Sequence, residues 1–328
     1  MPYSALTKAL TDGALPGSHE RVSGFWVLPA TTLASLLGMF AFLSAMGWWR
    51  HAGRRTVLGR SLPCPTRWTF LSGLCTAAII GTTTLAYTFK GASIVFMMLL
   101  MKGGVLIIAP AVDAVSRRKV RLASWVGLAL SLAAVVVATF NDEPLGITLV
   151  AAIDVALYLA SYFIRLRFMS RLAKSDDPRA STRYFVEEQM VATPAIVLTL
   201  VLCALVGKGQ VMQEIRQGFL GFFSSEMKLT LVAIGVLSQG TGIFGGLILL
   251  DPRENSFCVP VNRASSILAG VLGSYSLFVL LGMKPVGTRD LIGALLVVAA
   301  IVSLTLPGVL KTRARQVQVE STGGPSPG

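Results

Sequence analysis

Apolar residues gather along this chain into stretches long enough to cross a bilayer, joined by short polar connections. Nine are visible: Phe25–Met46, Trp68–Tyr87, Ala92–Val115, Leu122–Phe140, Leu145–Ile164, Phe185–Val206, Leu229–Leu250, Phe257–Leu281 and Leu291–Val309. About 20 residues rising 1.5 Å each match the thickness of the hydrocarbon core. The runs are continuous rather than alternating, and lipid tolerates only backbone that satisfies its own hydrogen bonds. The pattern therefore predicts an all-α fold, a polytopic membrane helix bundle with nine visible transmembrane helices. Residues 1–24 read as an extracytoplasmic N-terminal segment, with Ser4–Ser18 as a connecting loop. Residues 310–328, ending STGGPSPG, read as a disordered cytoplasmic tail. Val211–Phe223 is too short and too polar to span and reads as an amphipathic segment lying in the outer interface.

Composition agrees with this. Charged residues make up 14% of the chain and hydrophobic residues 53%, against about 25% charged in soluble domains. The net charge of +13 does not point to nucleic acid, because the basic residues cluster in alternate connections. The loops 47–67, 116–121, 165–184 and 251–256 and the tail hold nineteen Lys and Arg, and the opposite side holds eight. The basic side is cytoplasmic by the positive-inside rule, which puts the C-terminus inside and the N-terminus as given outside. An outside start with no signal-like segment leads us to expect one further helix upstream. The bilayer is thus a partner, in a bacterial inner membrane or, in a eukaryote, an organellar one; a homodimer is compatible with the pattern. The four cysteines lack metal-ligand spacing, and no phosphate-cradling loop or nucleophile elbow is present. We expect no enzyme activity, no catalytic residue, no metal and no cofactor.

Two cations stand inside apolar runs. Lys102 lies in IVFMMLLMKGGVLIIAPA and Arg263 in VPVNRASSILAG. A charge at that depth costs about 2.5–3.5 kcal/mol or more, so each should face a cavity, a carboxylate or a substrate. Lys102 would act on a phosphate or carboxylate as a point charge, or pair structurally with Asp154. Arg263 offers a bidentate fork, or snorkels to the headgroups. Asp154 shares a face with Tyr158 and Ser161; it either neutralises Lys102 or carries a coupling proton. Glu187 and Glu188 open the sixth run. Glu187 should meet headgroups, while Glu188 is either an interfacial acid or points inward near Arg263. Gln239 lies on a glycine-lined polar face, and Tyr87 shares a face with Thr83 that could bond a sugar or base.

The halves echo each other. Ser93–Val137 and Ser256–Val302 each hold an apolar helix with an internal cation, a basic hairpin and a closing helix, WVGLALSLAAVVV and LIGALLVVAAIV. By the charge count the two hairpins lie on opposite sides, the signature of inverted repeats. Residues 25–140 hold the first-repeat helices and 145–309 the second. With Gly127 and Gly293 near the starts of the closing helices, the chain resembles the drug/metabolite transporter superfamily (EamA-like). That resemblance implies ten helices in a five-plus-five inverted repeat, the first being absent from this sequence. Asn262-Arg263 looks like the Asn-Lys motif of nucleotide-sugar transporters, and Lys102 is similar to the fourth-helix basic residue of phosphosugar translocators. The implied function is secondary active transport of a small anionic metabolite, of phosphosugar or nucleotide-sugar type, with Asn262 beside Arg263 in the site. Two other readings stay open: a proton-coupled exporter of neutral or amphipathic compounds using Asp154, and a non-transporting membrane scaffold.

Overall fold

The computed structural model of the protein describes residues 2–11, 22–57, 60–86, 94–139, 149–175, 177, 179–222, 224–282 and most of 291–303. Its helices are α1 (Pro2–Thr11), α2 (Gly24–Ala45), α3 (Arg67–Ala86), α4 (Ile94–Val115), α5 (Leu122–Thr139), α6 (Leu149–Phe168), α7 (Ala180–Val206), α8 (Gly209–Gly221), α9 (Lys228–Leu249) and α10 (Asn255–Leu281), followed by α11 (Leu291–Ser303). Among the described residues the fold is all-α except for one hairpin after α2. There β1 (Arg54–Val57) pairs antiparallel with β2 (Arg60–Pro63), Arg54 opposite Pro63. Among the described residues α2, α7, α9 and α10 are long and apolar enough to cross a membrane, as an integral membrane protein requires.

Burial is inverted relative to a soluble domain. Asp113, Asp154, Arg165, Glu187, Glu188 and Asn255 are buried, while Leu37, Leu149, Leu205, Phe244 and Leu280 are exposed. Charged groups inside and leucines outside suit lipid as the solvent.

Two stretches expected as loops are helical. The N-terminal stretch begins with α1, because Leu6 and Leu10 fall one turn apart and pack with Val27, Ala30, Leu231 and Ile234 of α2 and α9. The basic connection after the fifth run starts later than expected. α6 continues through Arg165 to Phe168 and ends in a π turn, Met169–Ala173. The amphipathic Val211–Phe223 forms most of α8, which packs on α2 and α7. The hairpin around Lys284 and Arg289 and the tail 310–328 lie outside the described residues.

The packing has a paired logic. α3 lies against α6 and α7, while α9 lies against α1 and α2; α4 touches α6, α10 touches α1, and α4 and α10 touch each other. The α3–α7 and α9–α2 contacts are made through glycine, as is the α8–α2 contact at Gly218. A Cβ on Gly73 of α3 would sit 2.8 Å from the Glu188 carbonyl oxygen and 2.6 Å from Val191 Cβ of α7. A Cβ on Gly235 of α9 would sit 2.4 Å from the Thr31 carbonyl oxygen and 2.6 Å from Ala34 Cβ of α2. Small residues are what allow helices to approach this closely in lipid. Gly235→Ala is accordingly expected to cost about 1–3 kcal/mol, since backbone must move to admit the methyl. Gly240→Ala, which meets nothing within 4 Å, should leave the melting temperature in detergent unchanged or slightly raised, since Ala is the better helix former.

Candidate functional site

α6 supplies a polar spine. Asp154, Tyr158, Ser161, Tyr162 and Arg165 recur every three or four residues, which puts them on one helical face, and all five are buried. α6 packs on α3 and α4, so this face lies inside the bundle.

Arg263 reaches the middle of the spine from α10. Its Nη2 donates to the Tyr158 hydroxyl oxygen at 3.3 Å, and its guanidinium carbon lies 5.0 Å from the centre of the Tyr162 ring. The two tyrosine rings are 4.9 Å apart and tilted by 58°. A hydrogen bond and a cation–π contact fix the fork's position but leave its charge unneutralised. Lys102 stands on α4, which packs against α10, and each cation is the ninth residue of its helix. Among the described residues neither cation has a carboxylate within ion-pairing distance. Two positive charges are therefore gathered in an apolar bundle without a protein counter-charge, an arrangement that favours an anion.

Among the described residues the structural pairing of Lys102 with Asp154, one of two readings of these residues, is absent. No ion pair joins them, and both carboxyl oxygens of Asp154 lack any hydrogen-bond partner although the residue is 3% exposed. Asp154 sits one turn beyond Tyr158, away from Arg165 along the spine.

At its other end the spine is fully paired. Arg165 was expected in a basic loop but is buried, donating Nε and Nη2 to the two oxygens of Glu188 at 2.8 and 2.9 Å. Glu188 Oε1 also accepts from Ser72 at 2.8 Å and Thr76 at 3.0 Å, both on α3, and the Tyr184 hydroxyl bonds Ser72. Glu188 thus points inward, one of the two placements open to it. Its neighbour Glu187 does not meet headgroups. It is buried, accepting from the backbone N–H groups of Gly53 and Thr66, the Thr69 hydroxyl and Arg183 Nε. It pins the loop after α2 to α7, and four polar donors converging there explain why it turns inward.

The remaining sequence candidates fall elsewhere. Asn262 Nδ2 donates to the Gly245 carbonyl oxygen of α9 at 3.1 Å. Gln239 is buried between α9 and α2, opposite Gly38. Tyr87 lies outside the described residues. The residues that sequence reading missed are Arg165, Tyr162, Ser72, Thr76 and Tyr184. A signal was present: Ser72/Thr76, Tyr184/Glu188 and Tyr158/Tyr162 are each four apart, polar pairs at helical spacing within apolar runs.

No family model matches this chain, and no curated protein does. In fold it is similar to a solved structure described only as "Crystal structure of protein", at TM-score 0.54 over 92% of each chain with 14% identity. At that identity the likeness concerns the fold alone.

Proposed function

We propose that this protein is a secondary carrier of a small organic anion, of the drug/metabolite transporter type rather than an enzyme, and that it works by alternating access around Lys102 and Arg263. One observation carries the proposal: two cations stand at matching positions on touching helices, α4 and α10, and among the described residues neither has a carboxylate within ion-pairing distance. Phosphosugars and nucleotide-sugars fit such a pair, the ammonium as a point charge and the guanidinium as a fork.

The paired contacts support the inverted-repeat reading. If α1, α2, α3 and α4 correspond to α6, α7, α9 and α10, then the α3–α6, α3–α7 and α4–α6 contacts recur as α9–α1, α9–α2 and α10–α1. Gly73 then corresponds to Gly235, each seated against residues three apart on its partner helix. Lys102 and Arg263 come out at nearly equivalent positions. On this reading nine helices cross the membrane, and rocking of the two halves exposes the site alternately.

The test is uptake by proteoliposomes offered labelled hexose phosphates, nucleotide-sugars and dicarboxylates. Lys102→Ala is expected to abolish uptake of the transported anion while leaving a folded, inserted protein. Arg263→Lys should weaken apparent affinity by about tenfold, keeping charge and losing the fork. Absence of uptake for every compound would favour the scaffold reading. Wild-type activity retained by Lys102→Ala would remove Lys102 from the site. The unpartnered Asp154 favours a second reading, proton coupling; it predicts that uptake follows an imposed pH gradient and ceases to do so in Asp154→Asn.

A further inference from the structure

The tightest polar cluster outside the cation site joins α4 to the start of α10. Asp113, in the last turn of α4, is completely buried. One of its carboxylate oxygens accepts from the Asn255 backbone N–H and Nδ2, both at 2.9 Å. The other accepts from the Ser256 backbone N–H at 2.7 Å and its hydroxyl at 2.6 Å. Asn255 Nδ2 also donates to Ser170 in the π turn at 2.7 Å. Around this core, Ser124 of α5 donates to Glu254 at 2.6 Å. Arg118 donates to the carbonyls of Pro252 and Arg253 at 3.1 Å each and of Lys174 at 3.0 Å. Lys174 Nζ donates to the Arg253 carbonyl at 2.8 Å and to Cys258 Sγ at 3.3 Å. The cluster closes the space between the α4–α5 and α9–α10 turns, on the Lys/Arg-rich side of the charge count.

Helix N-termini leave backbone N–H groups without partners inside the helix, and a nearby residue of the same chain segment usually caps them. Here the cap comes from another helix, 142 and 143 residues away in sequence. A local cap would stay with α10 however the helices moved. A cap carried by α4 holds only while the two helix ends are together. Its bonds are charge-assisted and aimed along the helix dipole, yet every group in it can be rehydrated when the ends part. The two helices it ties carry Lys102 and Arg263.

We infer that Asp113 is the latch of a gate at the basic end of the bundle: it holds α10 against α4 in the closed arrangement, and its release opens the Lys102–Arg263 site to that side. This rests on the carrier reading for its purpose, but its test does not depend on transport. Cys258, just inside the latch, is 0% exposed and reports opening. In protein with Cys64, Cys75 and Cys203 replaced by Ala, the rate of Cys258 labelling by N-ethylmaleimide in proteoliposomes is measured. Asp113→Asn, which turns one acceptor into a donor facing Ser256, is expected to raise the rate at least tenfold. Ser256→Ala should raise it less. Cross-linking Ser124→Cys to Glu254→Cys in the Asp113→Asn background should restore protection. A companion protein retaining Cys75, buried on α3, controls for general loosening. An unchanged Cys258 rate in both latch variants, or equal acceleration at Cys75, would overturn the latch and leave Asp113 as a structural cap. Failure of all uptake with selective Cys258 exposure would sink the carrier reading but keep the latch.

Discussion

Arg165→Met should destabilise the protein by about 3–5 kcal/mol, the usual consequence of removing one partner from a buried ion pair. Glu188 would remain in place, with Ser72, Thr76 and Tyr184 around it but no counter-charge. Water cannot easily compensate, because the two side chains are only 8% and 1% exposed. Hydroxyl donors soften the penalty without cancelling it, since each supplies a fraction of what a bidentate guanidinium does. The double variant Arg165→Met/Glu188→Leu should recover most of the loss, because an apolar pair of similar volume avoids both desolvation penalties. Reversible unfolding in detergent micelles, carried around the full double-mutant cycle, measures the coupling. A coupling under about 0.5 kcal/mol would show that the pair is open to water and contributes little. Arg165 also lies next to Tyr162, whose ring faces Arg263. Loss of the pair should therefore loosen the seat of Arg263, and any anion affinity should fall together with stability.

The helices were legible because lipid imposes a single strong constraint. Runs of about 20 apolar residues have no alternative to helix, and each of the nine holds one. What escaped was written in polar residues, where pattern is weaker. Arg165 was assigned to the loop that follows α6 because it stands among Arg167, Arg171 and Lys174, and charge density alone cannot mark where a helix stops. Its phase could: it continues the stripe of Asp154, Tyr158 and Ser161 by one further turn. Glu187 and Glu188 are adjacent and must point in different directions, yet both found interior partners. Glu187 is drawn toward backbone donors of the loop after α2, and no single-sequence pattern encodes contacts between residues 121 and 134 positions apart. The pairing of Lys102 with Asp154 rested on opposite charge at similar depth. Charge and depth alone do not decide a contact, and among the described residues Asp154 is left without a hydrogen-bond partner.

That separation makes an energetic prediction about Lys102 and Asp154 considered together. Asp154→Val should stabilise the protein by about 1–3 kcal/mol, because both carboxyl oxygens are buried without a hydrogen bond and forfeit their hydration. Lys102→Met should stabilise it as well, removing a cation that has no ion-pair partner among the described residues. If the two side chains do not interact, the double variant should equal the sum of the singles within about 0.3–0.5 kcal/mol. A pair that forms only in another arrangement of the helices would instead leave the singles nearly neutral and give a coupling of about 0.5–3 kcal/mol. The sign carries the functional meaning. Residues that weaken the fold where they stand persist when the site needs them, so stabilisation by both neutral variants joined to loss of anion uptake in Lys102→Met would identify Lys102 as an anchor. Stabilisation with uptake intact but unresponsive to a pH gradient would identify Asp154 as the coupling group. Destabilisation by either neutral variant alone would return Lys102 and Asp154 to a structural role and remove the energetic case for a site between α4 and α10.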